Sequence, residues 1–153
     1  MQLKPQKRHN ALQPLSREHH YGLLLSWKIR AGFSKDIDPK RIRVYAYWFY
    51  EHHLIPHFEL EESHVFSILE AEHELVKRAL ADHRRLRRLF NHKGDDLKTL
   101  SKIEEELEQH IRFEERILFP EIQKVATEEQ LLLIENIHQP ERFVDHEGDL
   151  FWK

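Results

Sequence analysis

Residues 57–69, HFELEESHVFSIL, and residues 110–120, HIRFEERILFP, share the pattern His-x-x-x-Glu-Glu-x-x-apolar-Phe. His57, Glu61, Glu62, Val65 and Phe66 stand at the same offsets as His110, Glu114, Glu115, Leu118 and Phe119. On an α-helix, positions i and i+4 share a face and lie about 6 Å apart along the axis. Imidazole suits iron, zinc or copper, and a carboxylate can bridge two ions. Each segment therefore offers a histidine and a bridging carboxylate from one helix face. In the second segment that face reads Ile103, Leu107, His110, Glu114, Ile117, an apolar stripe interrupted by two polar groups. An ionised carboxylate on such a stripe is costly unless it is paired or bound to metal. A single His/Glu pair would read as a surface ion pair. Two pairs inside matching patterns point to metal ligands instead.

The repeat extends upstream. LSREHHYGLL (15–24) precedes the first pair and ALADHRRLRRL (79–89) the second, each with an acidic residue before a histidine, Glu18-His19 and Asp82-His83. Two halves of the form His … His-x-x-x-Glu, paired about a pseudo-twofold axis, would gather four histidines and two glutamates. That supplies two histidines per ion, with both glutamates free to bridge. His19 and His20 both have apolar neighbours at helical spacing, and the repeat favours His19. His73 and His83 share a face with Val76, Leu80, Leu86 and Phe90. Glu61 lies roughly 12 Å before the end of its helix, so its partner on the next, antiparallel helix should be His83, while His73 caps or lines the bundle end. Glu62 and Glu115 read as lying outside the ligand set, with Glu115 kept as the alternative to Glu114, a carboxylate shifted by one. His53, one turn before His57, reads as a supporting partner or a gate. His9, His92, His138 and His146 are expected to face solvent.

The elements that must position these residues are helices. The chain has only 4 glycines and 6 prolines, and no alternating apolar/polar run bounded by hairpin signals. A first helix is expected over 14–31, with Pro14 in its first turn and Gly32 at its end. Asp38-Pro39 opens a second over 39–69, with a kink at Pro56 before His57. A third spans 72–91 and stops by Gly94. A fourth, capped by Asp95 or Asp96, runs over 96–124. Thr127-Glu-Glu-Gln130 is a capping box for a short fifth helix ending before Pro140. The expected fold is all-α: an up-down-up-down four-helix bundle over 12–139 with a short additional C-terminal helix. Residues 1–11 read as a flexible N-terminus, and no pattern places the tail, 140–153. RRLRR (84–88) and EEELE (104–108) read as solvated faces of opposite sign on adjacent helices.

Composition narrows the chemistry. A chain of 153 residues suits one domain. With no cysteine, disulfides, thiolate zinc sites and iron–sulfur clusters are excluded. The 13 histidines are an excess that points to metal. A net charge of −3 gives no sign of nucleic-acid binding. Apolar runs fall far short of the roughly 20 residues of a membrane span, and no signal peptide follows the basic N-terminus. A soluble cytoplasmic protein is expected, with no nucleic-acid or membrane partner.

EHH (18–20), HFELEE (57–62), DHRRL (82–86) and HIRFEERILFP (110–120) together resemble the hemerythrin-like, HHE cation-binding domains over about residues 12–135. The resemblance implies a non-haem di-iron centre, oxo- or hydroxo-bridged, inside a four-helix bundle. Carried over, the ligands are His19, His57, Glu61, His83, His110 and Glu114. The small ligand would be O2, peroxide or NO, bound at an open iron position for sensing, storage or detoxification. Iron rests on the resemblance alone, since zinc or manganese would accept the same donors. The chain departs from the oxygen-carrying hemerythrins in two places. Ala79 and Arg87 flank His83 where those proteins have a His-x-x-x-His pair, and His-x-x-x-Glu replaces their final His-x-x-x-x-Asp, with Glu115 at the longer spacing. Fewer protein ligands on one ion imply an exogenous ligand there, which argues against simple reversible O2 carriage and leaves open a more symmetric, more solvent-accessible site. No catalytic acid or base is assigned, and binding or sensing ranks above oxidase or peroxidase turnover. Tyr21, Tyr45, Tyr47 and Tyr50 are candidates to hydrogen-bond inside the bundle. A second class is an iron-responsive interaction module, in which metal occupancy controls folding and the Trp152 tail or the fifth helix contacts a protein partner.

Overall fold

Helix boundaries follow from local chemistry in the computed structural model, which describes residues 7–138 and 143–153. α1 spans Gln13–Ser34 with a proline in its first turn. It runs through Gly32 rather than ending there. A Cβ at Gly32 would lie 2.6 Å from Ile42 Cδ1 and 3.0 Å from Phe151 Cε2, so this glycine serves close packing, and the chain turns only at Asp36, φ 55°.

α2 (Pro39–Phe49) is capped by Asp38, whose carboxylate accepts from the Lys40 N–H at 3.0 Å. The rod continues through a π-helical turn at Tyr50–Leu54, α3 (Ile55–Leu60), a second π-turn at Glu61–Val65 and a 3-10 turn at Phe66–Ile68. Pro56 follows the first π-turn directly. It has no N–H for the His52 carbonyl, and the Ile55 N–H reaches back five residues to the Tyr50 carbonyl. α4 (Glu74–Asn91) is capped by His73, whose ring accepts from the Leu75 N–H at 3.1 Å, the bundle-end role expected of it. α5 (Asp96–Phe113), capped by Asp95, passes through a π-turn at Glu114–Leu118 into α6 (Phe119–Val125). α7 (Glu128–Ile137) opens with the expected Thr127/Gln130 capping box. Pro140, expected to end it, and residues 1–6 lie outside the described residues.

The π-turns correct the inward stripe of the fourth rod. Ile117, expected to face inward, is 46 % exposed, and Leu118 is fully buried instead. The Phe119 N–H bonds to the Glu114 carbonyl five residues back, so the turn after Glu114 holds one extra residue and shifts the phase. Glu61 begins the equivalent turn in the other half, followed by buried Val65.

The described residues form helices and turns without a strand. α1 packs on α5 and α2, α4 on α5, and α2 on α5 and α4. One apolar cluster gathers Leu25, Ile29, Ile42, Phe49, Phe90 and Ile103, and a second gathers Leu15, Val65, Phe66, Phe113, Phe119 and Ile122. On each rod the His/Glu positions fall between residues of the two clusters. Arg85 pairs with Glu106 across α4 and α5, while Glu104 and Glu108 pair with Arg30 of α1. Residues 7–12 lie against the bundle. Arg8 donates to the Glu115 carbonyl at 2.7 Å, the His9 N–H donates to Gln123 Oε1 at 2.9 Å, and Ala11 and Leu12 are fully buried. No described helix is long and apolar enough to cross a membrane.

The tail packs back onto α1 and α2. Phe151 is buried beside Gly32, and Trp152 lies over the Lys28 ammonium, 3.8 Å from ring centre to Nζ. Lys28, itself buried, donates to Asp145 and to the Tyr45 hydroxyl, each at 2.7 Å, and Tyr45 donates to Asp145. Arg41 grips Asp149 with two bonds. Trp152, suggested as a partner-facing residue, is thus occupied within the chain.

Candidate metal centre

All six residues singled out from the repeat are buried, none more than 5 % exposed, and Glu61, His83 and Glu114 fully so. His20, the competitor of His19, is exposed. The six form two overlapping groups, His19/His57/Glu61/Glu114 and Glu61/His83/His110/Glu114, whose candidate donor atoms lie within 4.8 Å of one another. Each group has two histidines, and both share both glutamates.

The inner distances are those of donors around an ion. His19 Nε2 and His57 Nε2 face each other at 3.1 Å, as do His83 Nε2 and His110 Nε2. Glu61 Oε1 lies 3.3 Å from His57 Nε2 and 3.2 Å from His83 Nε2. Glu114 Oε1 lies 3.0 Å from His19 Nε2 and 3.1 Å from His110 Nε2. With metal–ligand bonds of about 2.1 Å, donors at right angles lie about 3.0 Å apart. The donors also lack other partners: both oxygens of Glu61 and Oε2 of Glu114 are buried without a hydrogen bond. Such orphaned atoms are rare in a folded interior. The residues present therefore fit a pair of ions.

The outer ring nitrogens explain the tautomers. Nδ1 of His57 lies 2.7 Å from Glu18, Nδ1 of His83 2.6 Å from Glu62, Nδ1 of His110 2.9 Å from Asp82, and Nδ1 of His19 2.8 Å from Glu115. An ionised carboxylate only accepts, so each Nδ1–H donates outward and each Nε2 faces inward, where it carries a proton in the metal-free imidazolium and would offer its lone pair to a metal, the orientation typical of metal-bound histidine. The four contacts close a ring. Each rod places a carboxylate beside its own inward residue, and that carboxylate holds the histidine of another rod: Glu18 of α1 holds His57, Glu62 holds His83, Asp82 of α4 holds His110, and Glu115 holds His19. Sequence reasoning put Glu62 and Glu115 outside the ligands and missed this role. The signal was present, since each of the four adjoins an inward residue in the chain.

Electrostatics point the same way. Burial pulls His57 down, but the charge of Glu61 and the bond to Glu18 outweigh it and hold the imidazole at about 9. His110 stands at about 9, where burial is outweighed by the charge of Glu114 and the bond to Asp82. His19 is likewise raised, its burial offset by Glu114, Glu115 and Glu61. Burial pushes Glu61 up, yet the charge of His57 and the contacts of His19, His57 and His83 hold it well below the carboxylate range. Glu18, also opposed by burial, is drawn down to about 2 by His138 and His57. Two buried carboxylates demand positive charge nearby, supplied by protons on imidazole or by metal ions.

The donor set is symmetric, but its surroundings are not. Phe58 stacks on His83 at 3.9 Å between ring centres, and Phe66 packs at 5.3 Å. In the repeat, Phe119 matches Phe66 and stacks on His19 at 5.3 Å. The match to Phe58, however, is Ile111, which leans onto Gly22: a Cβ there would meet Ile111 Cδ1 at 2.6 Å. The face of the site toward His19 and His57 opens into a cavity of about 440 Å³, lined in part by Tyr21, Phe49, His53, Leu107, Ile137, His138 and Phe143. Of the four tyrosines considered, Tyr21 lines this cavity, Tyr45 serves the tail, Tyr47 is exposed and Tyr50 accepts from Asn91. His53 is the cavity-wall residue one turn from His57, packed against Phe143 and Trp48. His138 and His146, expected to face solvent, are half-buried. His138 Nε2 lies 3.3 Å from Glu18, and His146 stacks on Trp48 at 5.1 Å.

The family model of the hemerythrin HHE cation-binding domain matches residues 10–122. The chain belongs to this family, which defines it as a cation-binding helical bundle. No curated protein sequence and no solved structure was found to match the chain.

Proposed function

We propose that the chain is a non-haem di-iron protein that binds or senses a small oxidant, namely O2, peroxide or NO. In this reading His19 and His57 hold one ion, His83 and His110 the other, and Glu61 and Glu114 bridge them. The rods α1, α2–α3, α4 and α5–α6 form the up-down-up-down bundle, α7 is the additional helix, and the protein is soluble and cytoplasmic. The observation that carries the reading is the pair of overlapping donor groups, each with two imidazoles and both shared carboxylates. A non-haem iron pair supplies electron exchange and open positions for a small ligand. The chain supplies the rest. Glu18, Glu62, Asp82 and Glu115 fix the rings with Nε2 inward. Phe58 and Phe66 cover His83, so an exogenous ligand would enter from the cavity, which His19, His57 and His110 line.

Anaerobic iron loading followed by air, watched by absorption spectroscopy and metal analysis, tests the assignment. About two irons per chain with a new charge-transfer band supports it. No high-affinity uptake, or uptake unchanged when His57 and His110 are both replaced by Ala, refutes it. Zinc or manganese taken up in preference to iron would keep the site and change the chemistry.

The orphaned oxygens of Glu61 and Glu114 favour a second reading, an iron-responsive interaction module whose folding depends on occupancy. Chelation that unfolds the bundle, in a protein with no response to O2, peroxide or NO, would select it.

A further inference from the structure

The cavity beside His19 and His57 is larger than a diatomic ligand requires. A small molecule such as water has a share of roughly 30 Å³ in the liquid, whereas pockets for organic ligands run from about 300 to 1,000 Å³. The cavity measures about 440 Å³. It is also one-sided: His19, His57, His110 and Glu114 line it, whereas His83 and Glu61 do not. Where the repeat puts Leu86 and Phe58 on the closed side, the open side has Gly22 and Ile111, and Ile111 packs onto Gly22 instead of across the imidazole.

The walls select a chemical class. Tyr21 and Phe143 stack at 4.2 Å between ring centres, 11° from parallel, and with Phe49, Leu107 and Ile137 they make an aromatic and aliphatic enclosure. Among the described lining residues there is no lysine or arginine. Beyond the candidate donors, the polar lining is Glu18, His52, His53 and His138, and Nε2 of His53 and of His138 is buried without a hydrogen bond. Glu18 gives one oxygen to His57 Nδ1, and its other oxygen lies 3.3 Å from His138 Nε2. Such a cavity suits a neutral planar donor and offers a buried carboxylate no lysine or arginine partner.

We propose that this cavity binds a small planar phenol or hydroquinone of one or two rings, its hydroxyl toward Glu18 and His138 and its ring between the apolar walls. The proposal rests on the di-iron reading for the neighbouring ions, but the walls belong to the chain, so metal-free protein should bind as well. Phe143 is the specificity residue, because it brings the otherwise separate tail into the wall.

Isothermal titration of full-length protein with 1-naphthol, metal-free and iron-loaded, tests this. Wild-type protein should bind one molecule saturably in both forms, and the metal-free form should bind 1-naphthoate about tenfold more weakly. Phe143→Ala, or Ile137→Trp at the half-exposed rim, should weaken 1-naphthol by about tenfold. Leu133→Trp, on the same helix but away from the lining, should leave it within about twofold. No saturable binding to either form overturns the proposal. So does equal affinity of the metal-free form for 1-naphthoate, or affinity unchanged in both wall variants. Iron uptake without 1-naphthol binding sinks this proposal alone. Binding of 1-naphthol with no iron uptake supports the cavity and sinks the di-iron reading.

Discussion

The ring of outer carboxylates makes a site-resolved prediction. Glu18 and Glu115 hold His57 and His19, while Glu62 and Asp82 hold His83 and His110. Glu115→Gln removes a charged acceptor 2.8 Å from His19 Nδ1 and leaves the inner donors in place. Loss of a carboxylate that orients a metal-bound imidazole typically lowers metal affinity by about 10- to 100-fold, or about 1.4 to 2.7 kcal/mol. Only the ion beside His19 and His57 should feel it. Titration against a chelator competitor should then show one site weakened by that factor and one near wild type. Glu18→Gln should weaken the same site, and Glu62→Gln the other. Glu114→Gln differs in kind, since its carboxylate faces both groups, and should impair both sites. Equal loss at both ions for Glu115→Gln, or a smaller effect for Glu114→Gln than for Glu115→Gln, would refute the division into bridging and orienting carboxylates.

Three further outcomes are expected. In metal-free protein, His57 and His110 have folded-state values of about 9, above their unfolded value of about 6.5. Their stabilisation is therefore complete below about pH 6.5 and lost as pH rises through 9, so the Tm should fall across that window. Metal-loaded protein should not follow, because the ions replace the protons, and circular dichroism melts of both forms decide it. At the acid end, Glu18 is held at about 2, so its contribution is present above about pH 4.5 and should fade as pH falls toward 2, seen as acid unfolding. In the tail, Asp145→Ala strands a buried Lys28 charge and should cost several kcal/mol in urea denaturation, whereas Lys28→Met removes the charge itself and should cost less.

Much of the candidate site could be read from the chain because its candidate donors repeat on a helical period. His57/Glu61 and His110/Glu114 needed only the i,i+4 rule, and the upstream acidic-His steps identified His19 and His83. Caps at Asp38, Asp95 and Thr127 were legible because they depend on side chains two or three residues from the backbone groups they satisfy. Gly32 and Ile117 misled for opposite reasons. Gly32 has a conformational signature of a helix end but is kept small by Ile42 and Phe151, which are distant in sequence. Ile117 obeys the 3.6-residue period, but the π-turn at Glu114–Leu118 breaks it.

The sequence alone determined the helical class, the family and the six residues that converge, because these rest on local periodicity and an internal repeat. Only the tertiary structure decided how the halves differ. The same offsets carry Phe58 over His83 but leave Ile111 leaning on Gly22, so His83 is covered while His19, His57 and His110 face the cavity. It also decided which carboxylate holds which histidine, since each of those bonds joins different rods. And it placed the tail, whose Phe143, Asp145, Phe151 and Trp152 have no periodic pattern and find partners in Tyr21, Lys28, Tyr45 and Gly32, 100 or more residues earlier in the chain.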